Sequence, residues 1–205
     1  MQEALIPAVN SISENAFIYC TALSTIDFGE DVRSIGISAF ASTKISRLDV
    51  NSTNLSVIHS FAFANCYSLT SASLGDNIAH LSIWYGAFDR CCELTGIRIG
   101  KGIDYIYNTR PVGVTNMGIF GGCSSLVSVV LPFIGDSPTD NASNNVLGKV
   151  FGRYDAHLSS GMIAITQKGL TYNIPKSLRD IVILGNGSYT VPNEAMQDFN
   201  MISSI

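Results

Sequence analysis

Six times along the chain the sequence returns to one phrase, Ala-Phe-x-x-Cys-x-x-Leu-x-x-Ile, and nothing else in it constrains the fold so tightly. Ala16-Phe17, Cys20, Leu23 and Ile26 fit every position. Ala62-Phe63, Cys66, Leu69 and Ala72 follow the same frame, as do Ala87-Phe88, Cys91, Leu94 and Ile97, and Ile119-Phe120, Cys123, Leu126 and Val129. Ala39-Phe40 opens a copy one residue shorter, with Thr43, Ile45 and Leu48. A last copy runs Ala195-Met196, Phe199, Ile202 and Ile205. The phenylalanines Phe17, Phe40 and Phe63 are 23 residues apart, Phe88 follows after 25 and Phe120 after 32, and a degenerate node stands at Val150-Phe151. Self-similarity at such a period is the mark of a stacked array, in which no unit can bury its apolar side alone.

A second phrase recurs between the nodes. Ile26-Asp27-Phe28-Gly29 leads to Val32 and Ile35-Gly36, Ala72-Ser73-Leu74-Gly75 to Ile78 and Leu81, and Ile97-Arg98-Ile99-Gly100 to Ile103 and Ile106. In Leu-x-x-Ile-x-Leu the last two apolar residues alternate with a polar one, the period of a half-buried strand. Gly29, Gly75, Gly100 and Pro132 then end the strand. Val-x-x-Ile makes a second short extended edge. The Ala-Phe-x-x-Cys segment is too short for a long helix and is expected to form one or two helical turns with Phe and Cys inward. The fold class that follows is a strand-rich α/β solenoid, with a parallel β ladder on one face, short helical turns and loops on the other, and two insertions.

These phrases resemble the leucine-rich repeats of the BspA-like family, whose distinguishing features are the Ala-Phe-x-x-Cys node and the Ile-Gly before it. Leu131-Pro132-Phe133-Ile134-Gly135, Leu147-Gly148, Val150-Phe151-Gly152 and Ile174-Pro175-Lys176-Ser177-Leu178 resemble an insertion module that such proteins carry between repeats. Ile181-Val182-Ile183 then resumes a ladder strand. One domain is expected over 1–205, with repeats at about 1–132 and 174–205 and an insertion at about 133–173. The resemblance departs at the enlarged repeat 103–118 and at 154–173. It implies a surface protein of host-associated bacteria, or of protozoa with similar arrays, that adheres to host proteins, matrix proteins or other cells.

Composition narrows the partners. Charged residues are 14% of the chain against ~25% in an average soluble domain, the net charge is −4, and no basic run offers an electrostatic footprint for nucleic acid. No apolar stretch approaches the ~20 residues of a membrane helix. Met1-Gln2-Glu3-Ala4 lacks the basic and apolar regions of a signal peptide, so the expectation is either an intracellular protein or a segment of a longer secreted one. The open ends of a truncated array are expected to self-associate weakly.

The five cysteines, Cys20, Cys66, Cys91, Cys92 and Cys123, carry no Cys-x-x-Cys and no histidine at ligand spacing, which argues against zinc. Four share the node position that Thr43 and Phe199 fill elsewhere, the behaviour of inert buried filler. Cys66 and Cys91, on consecutive units, are the pair whose disulfide the sequence leaves open. His59, His80 and His157 occupy different repeat positions and form no column. Gly118-Ile119-Phe120-Gly121-Gly122 is not a phosphate loop, and Asp136-Ser137-Pro138-Thr139-Asp140-Asn141 lacks the order of a calcium loop and reads as a flexible polar insertion. No catalytic constellation, metal site or cofactor is expected. Asn51, Asn54, Asn141 and Asn186 head glycosylation triplets, meaningful only in a secreting eukaryote.

A protein-binding surface is therefore the functional expectation, non-catalytic and adhesive, with an intracellular scaffold as the alternative. Outward strand positions of the ladder are Asp27, Asp49, Ser73, Arg98, Val130 and Val182, and one step earlier Thr25, Arg47, Ser71, Gly96, Ser128 and Asp180. Aromatics outside the repeat core are Trp84-Tyr85, Tyr105, Tyr107, Tyr154 and Tyr172, and tyrosine and tryptophan are favoured at binding hot spots. Asp27, Asp49, Ser73, Arg98, Tyr105, Tyr107 and Tyr154 are the candidate contact residues.

Overall fold

The chain was analysed as a computed structural model, which describes residues 3–6, 9–50, 54–108, 117–139, 145–153, 160–185 and 189–204. Its frame is two parallel ladders. One is built from β5 (Arg47–Val50), β7 (Ser71–Leu74), β9 (Gly96–Ile99), β11 (Ser128–Leu131) and β14 (Asp180–Ile183), paired in that order. The other is built from β2 (Ser11–Ile12), β4 (Ser34–Ile35), β6 (Val57–Ile58), β8 (Leu81–Ile83) and β10 (Ile103–Ile106). A two-stranded parallel pair, β1 (Glu3–Ile6) with β3 (Thr25–Phe28), stands beside the first ladder. The Val-x-x-Ile phrase thus becomes a second ladder, and the turns holding β5 and β6, β7 and β8, and β9 and β10 each contribute one strand to both.

Register explains the sequence period. Leu48, Ala72, Ile97, Val129 and Ile181 are successive partners across the first ladder and are all buried. Ile12, Ile35, Ile58, Ile83 and Ile106 do the same across the second. Between the ladders lie Leu23, Ile45, Leu69, Leu94, Leu126 and Leu178, each no more than 1% exposed. Because side chains alternate along a strand, one apolar residue per unit at a fixed phase is enough to make an unbroken inner wall when rungs stack ~4.8 Å apart.

The node is not helical, contrary to the expectation of one or two helical turns. Its backbone donors alternate between two kinds of acceptor. Asn15, Phe17 and Tyr19 donate across to the next rung, to the carbonyls of Ile37 (2.9 Å), Ala39 (2.7 Å) and Ala41 (2.9 Å). Between them Ala16, Ile18 and Cys20 close local turns onto Ser13, Asn15 and Phe17 at 3.0–3.3 Å. The cross-rung bond repeats from Phe40 to Ala62, Phe63 to Ala87, Phe88 to Ile119 and Phe120 to Val150. An α-helix would spend every one of these donors on its own i−4 carbonyl and leave nothing for a neighbour. The turns need left-handed residues two before and two after the phenylalanine: Asn15 and Tyr19, Ser38 and Ser42, Phe61 and Asn65, and Gly86 and Arg90 all have φ between 52° and 64°. That is the φ required at the third position of a type II turn. Among the described residues one short 3-10 helix occurs, at Leu147–Val150.

The phenylalanines stack. Centroid separations run 5.0 Å for Phe17–Phe40, 5.4 Å for Phe40–Phe63 and 5.6 Å for Phe63–Phe88, with planes within 9° of parallel. The column continues, tilted, to Phe120 and Phe151 at 6.2 and 6.1 Å. Val150-Phe151 is thus a rung of the stack, although its sequence is degenerate.

After this rung the chain leaves the repeat in an antiparallel hairpin, β12 (Met162–Gln167) with β13 (Leu170–Pro175). Its two-residue turn, Lys168-Gly169, has φ of 49° and 73°, as a type I′ hairpin demands. Tyr172 and Gln167 are fully buried beneath it, so Tyr172 belongs to the core rather than to the outlying aromatics. The Gln167 amide bridges two levels of the solenoid. Its Oε1 accepts from the Gly148 N–H at 2.9 Å, and its Nε2 donates to the carbonyls of Ala195 (3.1 Å) and Gln197 (2.8 Å). The segment read as a flexible polar insertion is packed where it is described: Ser137 is buried, and Asp136 caps the outer edge of β10 by accepting from the Ile106 N–H at 2.8 Å.

Candidate binding faces

On the outer side of the first ladder, Asp49, Ser73, Arg98, Val130 and Val182 stand opposite one another in unbroken register, as the sequence phase predicts. Asp27 falls outside that register, because β3 pairs with β1, where Leu5 is the partner of Asp27. The charges on this face neutralise one another locally. Arg98 donates from Nη2 to Asp76 Oδ2 at 2.5 Å, which holds the Asp76 carboxyl below the usual carboxylate range. Arg47 lies 3.7 Å from Asp49 on the same strand. What remains exposed is small and mixed, with Val182 42% accessible at one end.

The second ladder presents a different surface. Tyr105 pairs with Ser82 across β10 and β8, and the Tyr107 N–H donates to the Ile83 carbonyl at 2.8 Å, which sets Tyr107 beside Trp84. Their rings lie 4.9 Å apart; Tyr105 stacks on Tyr107 at 5.5 Å and His59 packs on Trp84 at 5.7 Å. Tyr105 is 46% exposed and the other three are partly covered. Burial pushes the His59 imidazole below its ordinary value, so it is a neutral ring near pH 7. The four rings sit on one rigid sheet face, from three successive rungs.

The candidate residues therefore divide between two faces: Asp49, Ser73 and Arg98 on the first ladder with Asp27 beside it, and Tyr105 and Tyr107 on the second. Tyr154, with His157, Asn51, Asn141 and Asn186, lies outside the described residues. Tyr85 leaves the aromatic cluster and packs edge-on against Phe61 at 5.5 Å. His59 was legible only by aligning the position four before each phenylalanine, where Gly36, His59 and Trp84 follow one another. Asn54 is exposed, with its amide donating to the Glu30 carbonyl at 2.9 Å.

The cysteine column has a structural use beyond filling space. The thiols of Cys66, Cys91 and Cys123 donate to the carbonyls of Phe40 (3.3 Å), Phe63 (3.2 Å) and Phe88 (3.1 Å), each on the preceding rung. Thr43 contacts Cys66 Sγ at 3.3 Å, which accounts for a hydroxyl being accepted in the same column. All five cysteines are free thiols, so Cys66 and Cys91 form no disulfide. A hydrogen bond with Cys91 and burial push the Cys66 thiol upward, and burial together with a hydrogen bond to Cys123 pushes the Cys91 thiol upward against the opposing bond from Cys66, far from nucleophilic use. Among the described residues no group of three or more His, Cys, Asp or Glu is placed to hold a metal, and no helix is long and apolar enough to cross a membrane.

Superposition on one solved protein agrees with this architecture. A solved leucine-rich-repeat protein of Treponema pallidum superposes with a TM-score of 0.57 over 97% of this chain and 82% of its own, at 16% identity, a likeness of fold. A leucine-rich cell surface protein of Faecalibacterium prausnitzii gives a TM-score of 0.32 at 19% identity over 65% of this chain and 48% of its own. A leucine-rich-repeat protein of Bacteroides ovatus gives 0.30 at 18% identity over 92% and 76%. No curated protein sequence matches. The sequence model of the BspA-type leucine-rich repeat region, however, matches six copies over residues 1–110, just over half of the 205 residues. With its repeated node, glycine-ended strands and double ladder, the chain belongs to the BspA-type leucine-rich-repeat family.

Proposed function

We propose that the chain is a non-catalytic protein-interaction module of a cell-surface protein, adhering to host or matrix proteins. The observation that carries this reading is the ring cluster Trp84, Tyr105, Tyr107 and His59 on a sheet face whose backbone is fixed by cross-rung hydrogen bonds. Large rings on a rigid platform lose little conformational entropy on binding and dominate interface energetics. The first ladder is the secondary face: its charges are satisfied within the chain, and exposed pairs of that kind contribute little to affinity.

The test is binding of the purified chain to a panel of immobilised extracellular-matrix proteins. A saturable interaction that Tyr105→Ala with Trp84→Ala weakens at least ~10-fold, while Arg98→Ala changes it little, supports the reading. Loss of binding with Arg98→Ala alone would move the site to the first ladder. The free state of every cysteine also fits a scaffold inside the cell, where thiols stay reduced; binding to no matrix protein would favour it.

A further inference from the structure

The outer face of the second ladder changes character along its length. One outward column runs Ser13, Gly36, His59, Trp84 and Tyr107. Its order is fixed by bonds from the amides of Gly36, His59, Trp84 and Tyr107 to the carbonyls of Ile12, Ile35, Ile58 and Ile83 at 2.8–2.9 Å. The column beside it runs Ser11, Ser34, Val57, Ser82 and Tyr105. Rings therefore form a ridge over β6, β8 and β10, while small residues leave a trough of about 240 Å³ over β2 and β4. Ser13, Ser34, Gly36, Ile37 and His59 line it, and glycine is required at 36, where a Cβ would lie 2.6 Å from the Glu14 nitrogen of the preceding rung. Among the described residues lining the trough, Glu14 is the only charged one. It is exposed, and its Oε1 takes a long bond from Asn15 Nδ2 at 3.4 Å.

The period of this face limits what can lie along it. Successive rungs repeat at ~4.8 Å, so two rungs span ~9.6 Å. A polyproline II helix has three residues per turn and rises ~3.1 Å per residue, or ~9.3 Å per turn. Laid along the stack, it meets the ladder in the same phase every third residue and every second rung. A strand repeats its side chains every ~6.7 Å and an α-helix every ~5.4 Å, and neither keeps step. Strand addition also needs an open sheet edge, whereas the backbone of this face is bonded rung to rung. Polyproline recognition needs aromatic rings held in place, which Trp84, Tyr105 and Tyr107 supply.

We propose that the second ladder binds a proline-rich segment of a partner protein in polyproline II form, with an arginine of that segment over Glu14. His59 stands two rungs from Tyr107, and Ser13 a further two. One proline therefore packs on Tyr107, a second meets His59 three residues along, and the arginine follows three residues beyond. A segment already held in this form loses little backbone freedom on binding. A guanidinium is planar, stacks on rings and donates to carboxylates, which suits a trough that the His59 ring and Glu14 both line. Burial keeps that imidazole neutral near pH 7, so it does not repel the cation. The inference rests on the protein-interaction reading of this face and adds the conformation and one side chain of the partner.

Trp84 is the chain's one tryptophan, so its fluorescence reads the face directly. The probes are two blocked peptides, an arginine followed by six prolines and the reverse order, since the spacing is the same in either direction. A saturable change in emission with one of them is expected. It should weaken at least ~3-fold when citrulline replaces arginine, a difference that vanishes in Glu14→Gln. It should weaken at least ~10-fold when alternating glycine and serine replace the prolines. Amide shifts of Gly36 and Tyr107 in the 15N-labelled chain give a second readout independent of the indole. No saturable change in either readout at millimolar peptide, or equal binding of the glycine–serine peptide, overturns the proposal. An arginine preference that survives in Glu14→Gln overturns the placement of the arginine. Matrix binding that Tyr105→Ala with Trp84→Ala weakens, without peptide binding, overturns this inference alone. Peptide binding without a matrix partner supports it and overturns only the matrix assignment.

Discussion

The thiol of Cys91 donates to the backbone carbonyl of Phe63 at 3.2 Å, joining two rungs through a side chain rather than through the ladders. Both groups are completely buried, so removing the thiol leaves a carbonyl without that donor as well as a small void. Cys91→Ala is expected to lower stability by about 1–3 kcal/mol, and Cys91→Thr, which places a hydroxyl donor in a column that already accepts Thr43, by less. Chemical denaturation of the three proteins checks the order. In the native protein Cys66, Cys91 and Cys123 should resist thiol reagents until unfolding, since burial raises the Cys66 and Cys91 thiols and all three are occluded.

The phenylalanine column predicts a gradient. Phe40 lies between Phe17 and Phe63 with rings on both sides and is fully buried, whereas Phe17 is half-buried with one stacking partner. Phe40→Ala is expected to cost about 3–5 kcal/mol and Phe17→Ala clearly less. Phe40→Asp, which buries a charge between rungs, should unfold the domain. A melt of Phe40→Asp indistinguishable from that of the unmodified chain would refute the stacking.

How the sequence led to this column, and where it did not lead, has a physical reason. Ladder columns such as Asp49, Ser73, Arg98, Val130 and Val182 were legible because stacking converts a sequence period directly into spatial register. The node was misread as helical because short apolar phrases look alike whether their donors turn inward or cross to a neighbour. The left-handed positions hold turn-formers at Asn15, Ser38, Asn65 and Gly86, but Phe61, Tyr19 and Arg90 hide the pattern. The hairpin at 162–175 is spelled by Ile163, Ile165 and the Lys168-Gly169 turn, but its antiparallel pairing has no counterpart in the repeat period and so leaves no trace in it. Asp89 gave no signal at all: one acid in a column of small residues, it is seen to be buried against Gly121 only in the structure.

Left-handed backbone at a non-glycine residue costs about 1–2 kcal/mol. Tyr19 pays it at a φ of 60° while its side chain is 71% exposed, so little packing is at stake. Tyr19→Gly should raise stability by about 0.5–1 kcal/mol after the entropy of glycine is set against the relieved strain. The converse holds at Gly102, where a Cβ would stand 1.5 Å from the Ile78 carbonyl oxygen. Gly102→Ala is expected to cost more than ~3 kcal/mol, and thermal melting of the two variants should move in opposite directions.

Burial raises the Asp89 carboxyl to about 6, with Arg90 opposing the shift. In the unfolded chain it returns to the ordinary 3.8, so between about pH 4 and 6 the folded state binds more protons than the unfolded one. Stability from this group is therefore fullest below pH 4 and declines as pH rises through 6, by on the order of 2–3 kcal/mol in all. Asp89→Asn should flatten that slope, which urea denaturation at a series of pH values measures. An unchanged slope in the variant would show that other carboxyls set it.

The Gln167 amide deserves a last consequence. A solenoid held by peptide-to-peptide bonds ought to break wherever a foreign segment is spliced in, because the splice takes peptides out of line. Here one side chain with an acceptor and two donors stands in for the missing backbone, taking the Gly148 N–H on one side and serving Ala195 and Gln197 on the other. The hairpin is thereby a graft with its own suture. An array of this design can acquire new surface between turns, and so new partners, wherever an inserted loop brings one buried amide to close the seam.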